Sequence, residues 1–144
     1  MATVEEQTQA PVEEQKNTQD SSTGLDPKLG ALLSYLLGII GGIIFLVIEK
    51  DNKYVRFHAA QSIVVWIAAV GVGIVFGIGG AILTAIPGIG FIGAILLFLL
   101  GLAYPLILVA LAVILMIKAW TDYDSGQVFK IPVLGGIAEK IAGL

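Results

Sequence analysis

The sequence predicts an all-α integral membrane protein, a bundle of three transmembrane helices followed by a short interfacial carboxy-terminal helix. Three observations predict it. Residues 59–117 contain no Asp, Glu, Lys, Arg or His. A second apolar block, residues 29–48, precedes them. The chain of 144 residues is 57% hydrophobic and only 13% charged, against about 25% charged in ordinary soluble domains. A bilayer core of about 30 Å takes roughly 20 helical residues to cross. The long run therefore holds two crossings and the shorter block one.

The first 28 residues are rich in Glu, Gln, Thr and Ser and contain no aromatic residue. Such a segment cannot bury enough apolar surface to offset its chain entropy, so residues 1–28 are expected to be disordered. The acidic start and the late, long apolar block do not fit a cleavable signal peptide; residues 29–48 are expected to act as a retained anchor and first span. The polar loop Glu49-Lys50-Asp51-Asn52-Lys53 follows. The second span is expected over 62–86. Pro87, Gly88, Gly90 and Gly93 then break the helix and permit a tight reversal. The third span is expected over 94–117, with a kink at Pro105. The membrane domain thus covers 29–120. Residues 121–144 are amphipathic: Leu134, Ile137, Ile141 and Leu144 recur at spacings of three and four, which predicts a helix lying in the interface.

Composition narrows function. There is no cysteine, which excludes disulfides, thiolate-bound metals and thiol catalysis. Six of the eleven acids, Glu5, Glu6, Glu13, Glu14, Asp20 and Asp26, lie before the first apolar block, and no basic face is left for nucleic acid. The spans carry no Asp, Glu, Lys, Arg or His for a proton relay or an intramembrane protease. No catalytic, cofactor-binding or metal-ligating residues are expected, and the protein is not expected to be an enzyme.

Two ladders of small residues do stand out. Gly30, Ser34, Gly38 and Gly42 are spaced by four, as are Gly73, Gly77 and Ala81. Small residues at that spacing let helix backbones approach closely, within one chain, in a homo-oligomer, or against a partner membrane protein. The second feature is Lys53, Tyr54, Arg56, Phe57 and His58. Basic residues beside a membrane attract anionic lipids, and Tyr and Phe anchor at the interface. These five are the candidate lipid or partner docking residues. Counting Lys and Arg over three crossings places the amino terminus outside and the carboxy terminus in the cytoplasm of a cell-membrane protein.

The element Tyr54-Val55-Arg56-Phe57-His58-Ala59-Ala60-Gln61-Ser62, together with the stretch from Asp122 to Gly135 that holds Lys130-Ile131-Pro132, resembles two elements of the Tic-twenty-like group of small prokaryotic membrane proteins. That group is related to a subunit of the chloroplast inner-envelope import translocon. The resemblance covers residues 28–144. It implies a helical membrane protein that serves as a scaffold or subunit of a membrane assembly, with a link to protein translocation. An oligomeric channel or small-solute transporter is the alternative.

Overall fold

A computed structural model describes residues 21–144. The expected disorder of the first 20 residues lies outside the described part. Five helices follow: α1 (Pro27–Leu36), α2 (Gly38–Ile48), α3 (Lys53–Ala85), α4 (Gly90–Asp124) and α5 (Leu134–Ala142). No strand occurs among the described residues.

Two of these helices, α3 and α4, are long and apolar enough to cross a bilayer. The expected count was three, and the difference lies in residues 29–48. Leu37 interrupts the helix there, and Gly38 takes a φ of +63°, a left-handed conformation that glycine adopts without steric cost. Two short helices of 10 and 11 residues result, about 15 and 17 Å long. They form a hairpin. A Cβ at Gly30 would sit 3.1 Å from Val55 and 3.6 Å from the ring of Phe45, fifteen residues later in the chain. A Cβ at Gly38 would sit 3.3 Å from Trp66. So α1 runs along α3 from Val55 towards Trp66, and α2 runs back to the start of α3.

The reversal brings residues 21–28 back beside the start of α3. The opposite placement of the two ends depended on three crossings. Ser22 instead hydrogen-bonds Glu49, in the α2–α3 loop, and Lys28 pairs with Asp124 at the end of α4 (2.6 Å). The first described residues, the α2–α3 loop and the end of α4 therefore share one end of the molecule. Residues 21–28, expected to be disordered, carry this contact and begin α1, with the Asp26 side chain accepting a hydrogen bond from the Lys28 backbone N–H (2.8 Å).

The chain folds back a second time. After α4, residues 126–133 run beside Gln61, whose amide donates to the Phe129 carbonyl (3.3 Å). Then α5 returns along α3. Its Ala138 and Ala142 are buried against Phe57, Ala60 and Val64. The face of α5 that packs is this small-residue face, whereas Ile137, Ile141 and Leu144 stay exposed. The result is a base of five helices and a bare extension. Burial along α3 runs almost without interruption from Tyr54 to Ala69 and then stops, apart from Gly80 against Leu97 of α4. On α4, buried residues are confined to Gly93, near the turn, and to Leu115, Ala119 and Asp122 in the base. The extension is a two-helix hairpin whose turn, residues 86–89, contains no charge.

The two ladders part ways in this architecture. The first faces α3 throughout. Gly42 is its tightest point, since a Cβ there would lie 2.7 Å from both the Ala59 carbonyl oxygen and the Ile63 side chain. In the second ladder, a Cβ at Gly73 would meet the Tyr104 ring at 3.6 Å, Gly77 has nothing within 4 Å, and Ala81 is exposed. The close approach of α3 to α4 uses Gly80 and Gly93, off the ladder. Gly42→Leu should therefore cost about 3 kcal/mol through overpacking against a backbone that cannot yield. Gly77→Leu should cost less than about 1 kcal/mol, because the space is open. Thermal unfolding in detergent checks both; equal loss at the two sites would contradict the packing described.

Candidate functional site

The polar residues of the base converge on the first three turns of α3. The Asn52 side chain caps that helix by accepting from the Val55 N–H (3.2 Å), which satisfies one of the amides every helix start leaves free. From there each polar side chain reaches a different element. Tyr54 donates to the Ala119 carbonyl of α4 (2.8 Å). Arg56 donates to the Leu46 and Glu49 carbonyls at the end of α2 (3.2 and 2.7 Å) and twice to the Ala142 carbonyl at the end of α5 (3.2 and 3.0 Å). One guanidinium thus closes two helix C-termini, where unpaired carbonyls concentrate partial negative charge. Ser62 donates to the Ser34 carbonyl (2.7 Å) and lies 3.2 Å from that of Gly38. These groups flank the α1–α2 break.

His58 and Gln61 complete the set. Gln61 Nε2 donates to Tyr35 Oη (3.0 Å), and Tyr35 Oη lies 2.9 Å from His58 Nδ1. Nδ1 and the Tyr35 hydroxyl are joined by one hydrogen bond, which either group can donate. The other ring nitrogen, Nε2, is buried and has no hydrogen-bond partner among the described residues. The rings of Tyr35, Tyr54 and Phe57 stand edge-on around the imidazole at 4.4–5.7 Å.

Beside this cluster sits Glu49, with no exposed surface. It accepts from the backbone N–H groups of Ser22, Asp51 and Asn52 (3.0, 3.1 and 3.0 Å) and from the hydroxyls of Ser21 and Ser22. Burial by itself raises the pKa of a carboxyl. Here the hydrogen bonds from Ser21, Asn52 and Ser22 outweigh it and hold the value at about 2, below the usual 4.5. Glu49 thereby ties the segment before α1 to the start of α3. Around the rim, Lys28 pairs with Asp124 and stacks over Trp120, Lys118 pairs with Asp122 (3.7 Å), and Lys130 pairs with Glu139.

The five residues expected to dock lipid or a partner fall mostly inside this cluster. Tyr54, Phe57 and His58 are buried, and Arg56 spends its guanidinium on carbonyls. Lys53 alone is exposed at the helix start. Sequence reasoning assigned no role to Tyr35, Glu49, Gln61 or Ser62. The available signal was the recurrence of polar residues at Tyr54, Arg56, His58, Gln61 and Ser62 in a segment leading into an apolar helix, since polar groups in lipid must find partners inside the protein. Among the described residues no group of three or more His, Asp or Glu could hold a metal ion.

Apolar helices of crossing length and a buried polar hub that satisfies the helix breaks define a helical membrane protein. The chain matches the magnetosome magnetite crystal formation protein family over residues 24–137. It is 36% identical over 124 residues to a UPF0132 membrane protein of Methanocaldococcus jannaschii, covering 83% of this chain and 92% of that one. A UPF0132 membrane protein of Archaeoglobus fulgidus is 36% identical over 111 residues, covering 77% and 90%. No solved structure matches the chain. The chain belongs to the magnetosome magnetite crystal formation protein family and is a small membrane protein. The comparisons support this family and not the Tic-twenty-like link.

Two substitutions test the hub. Glu49→Gln should lower stability at neutral pH by about 2 kcal/mol, because two of the amide's sites become donors facing donors. The parent's extra stability is fully present above the unfolded pKa near 4.5 and is lost as pH falls towards the folded value of about 2, as linkage requires for a depressed carboxyl. The variant should lack that dependence. Arg56→Lys should also destabilise, since an ammonium cannot reproduce a planar fork shared by two helix ends. Melting in detergent between pH 2 and 7 checks both; a parent-like acid profile in Glu49→Gln would contradict the role given to this carboxylate.

Proposed function

We propose that the protein is a non-enzymatic scaffold or subunit of a membrane assembly. The base holds the fold, and the bare α3–α4 extension meets a second copy or a partner membrane protein. One observation carries this reading. From Val70 to Leu106 only Gly80 and Gly93 are buried, and Val75, Phe76, Phe91, Phe98 and Leu106 are each more than half exposed. Between the two helices lies a cleft of about 370 Å³, bordered by Gly73, Gly77, Leu97 and Gly101. Helices meet in lipid through close packing of small residues, and this surface has small residues still open.

The channel alternative gains less. The cleft is lined almost wholly by carbon, and it is pinched by Tyr104 bonding the Ala69 carbonyl at one end and Leu97 on Gly80 at the other. A link to translocation would rest on the sequence resemblance alone. Orientation follows from charge. Lys28, Lys50, Lys53, Arg56, Lys118, Lys130 and Lys140 all belong to the base, and the turn at 86–89 has none. By that rule the charged end of the base faces the cytoplasm, and both described ends with it.

The chain has no cysteine, so single thiols can be introduced. Leu25→Cys, Asp51→Cys and Ser125→Cys should resist an impermeant thiol reagent in intact cells and react together once the membrane is opened. Reaction of Leu25→Cys alone in sealed cells would restore opposite ends. Val75→Cys and Phe98→Cys should give crosslinked species in membranes while purified protein in liposomes shows no solute flux. Monomer-only crosslinking together with flux would favour the channel.

A further inference from the structure

We infer that the protein is a wedge that favours a curved bilayer, with the leaflet around its base on the convex side. The inference is independent of any protein partner; the ligand is the lipid bilayer itself.

The geometry is one of unequal cross-sections. At the level of Tyr54 to Ala69, α3 is surrounded by α1, α2, α5 and the last turns of α4. Beyond Ala69 only α3 and α4 remain. The short helices α1, α2 and α5 have 10, 11 and 9 residues, about 14–17 Å each at 1.5 Å per residue. That is close to half of a bilayer core of about 30 Å. None of the three is long enough to span the core, so where they lie in hydrocarbon one leaflet accommodates five helix cross-sections and the other two.

The outer surfaces of the short helices suit hydrocarbon rather than water. Ile40 and Val47 of α2 are 69% and 66% exposed, and Ile43, Ile44 and Ile48 are also open. Ile137 and Ile141 of α5 are exposed beside Lys140. These side chains cover the base with apolar surface whose transfer out of water is favourable. The polar hub beneath them, Arg56 on two helix ends and Ser62 on the break, holds the short helices to α3, so the excess width cannot be relieved by splaying. A body wide in one leaflet and narrow in the other is best accommodated where the wide leaflet is expanded. That is the convex side.

Membrane nanotubes drawn from giant vesicles of phosphatidylcholine and phosphatidylglycerol test this. Full-length Ser125→Cys protein is reconstituted and labelled with an impermeant thiol dye, which marks only molecules whose base faces outward, the convex side of the tube. The labelled density on the tube should exceed that on the flat vesicle about fivefold, roughly 1 kcal/mol of preference. Equal densities, or depletion on the tube, would overturn the inference. A companion chain with Ile137→Asn and Ile141→Asn should draw α5 out of the hydrocarbon and reduce the enrichment while keeping the parent melting temperature within a few degrees. Undiminished enrichment in that folded variant would show that the base is not the wedge.

Discussion

A backbone carbonyl in hydrocarbon must find a donor within the protein, because no water is there to supply one. The chain breaks its first apolar segment at Leu37–Gly38 and so frees carbonyls at the end of α1. Ser62 of α3 donates to that region, and Arg56 does the same for the ends of α2 and α5. Each short helix thus needs α3 to close its backbone, and α3 needs each of them to bury Tyr54, Phe57, His58 and Gln61. The polar hub is the condition under which half-length helices can exist beside a bilayer.

The division between base and extension follows from that condition. Polar side chains are spent where helices end, and apart from the turn at 86–89 the helices end in the base. Beyond Ala69 the backbone of the hairpin is bonded within its own helices apart from Pro105, which has no N–H to donate. It can therefore be almost wholly apolar, with Thr84 bonding its own helix at the Ala81 carbonyl and Tyr104 donating to the Ala69 carbonyl. Stability is concentrated at one end of the molecule, and free surface at the other.

The crossings α3 and α4 were legible in the sequence because hydropathy measures length and apolarity, and both helices satisfy each. The block 29–48 satisfied them equally well and still folded as a hairpin. Hydropathy does not register backbone direction, and a left-handed Gly38 looks the same in sequence as the helical Gly42 four residues on. The ladders were visible as spacing, but spacing cannot say which face meets a neighbour: Gly42 is pressed on Ala59, whereas Gly77 borders open space. The cluster Tyr54–His58 was conspicuous for its polarity. Its inward direction became apparent only with α1, α2 and α5 packed around it, and Glu49 was hidden because its partners Ser21 and Ser22 lie 28 and 27 residues away.

The hairpin of α1 and α2 is the feature on which the shared end, the hub and the unequal cross-section all stand. Spin labels at Leu25 and Asp51, both exposed, measure it through their separation in reconstituted membranes by pulsed electron resonance. If residues 27–48 reverse at Gly38, the two labels lie at one end of the molecule, with a separation well below the bilayer thickness. A single continuous helix over those 22 residues would instead hold them about 33 Å apart or more, at 1.5 Å per residue, and that result would contradict the fold described.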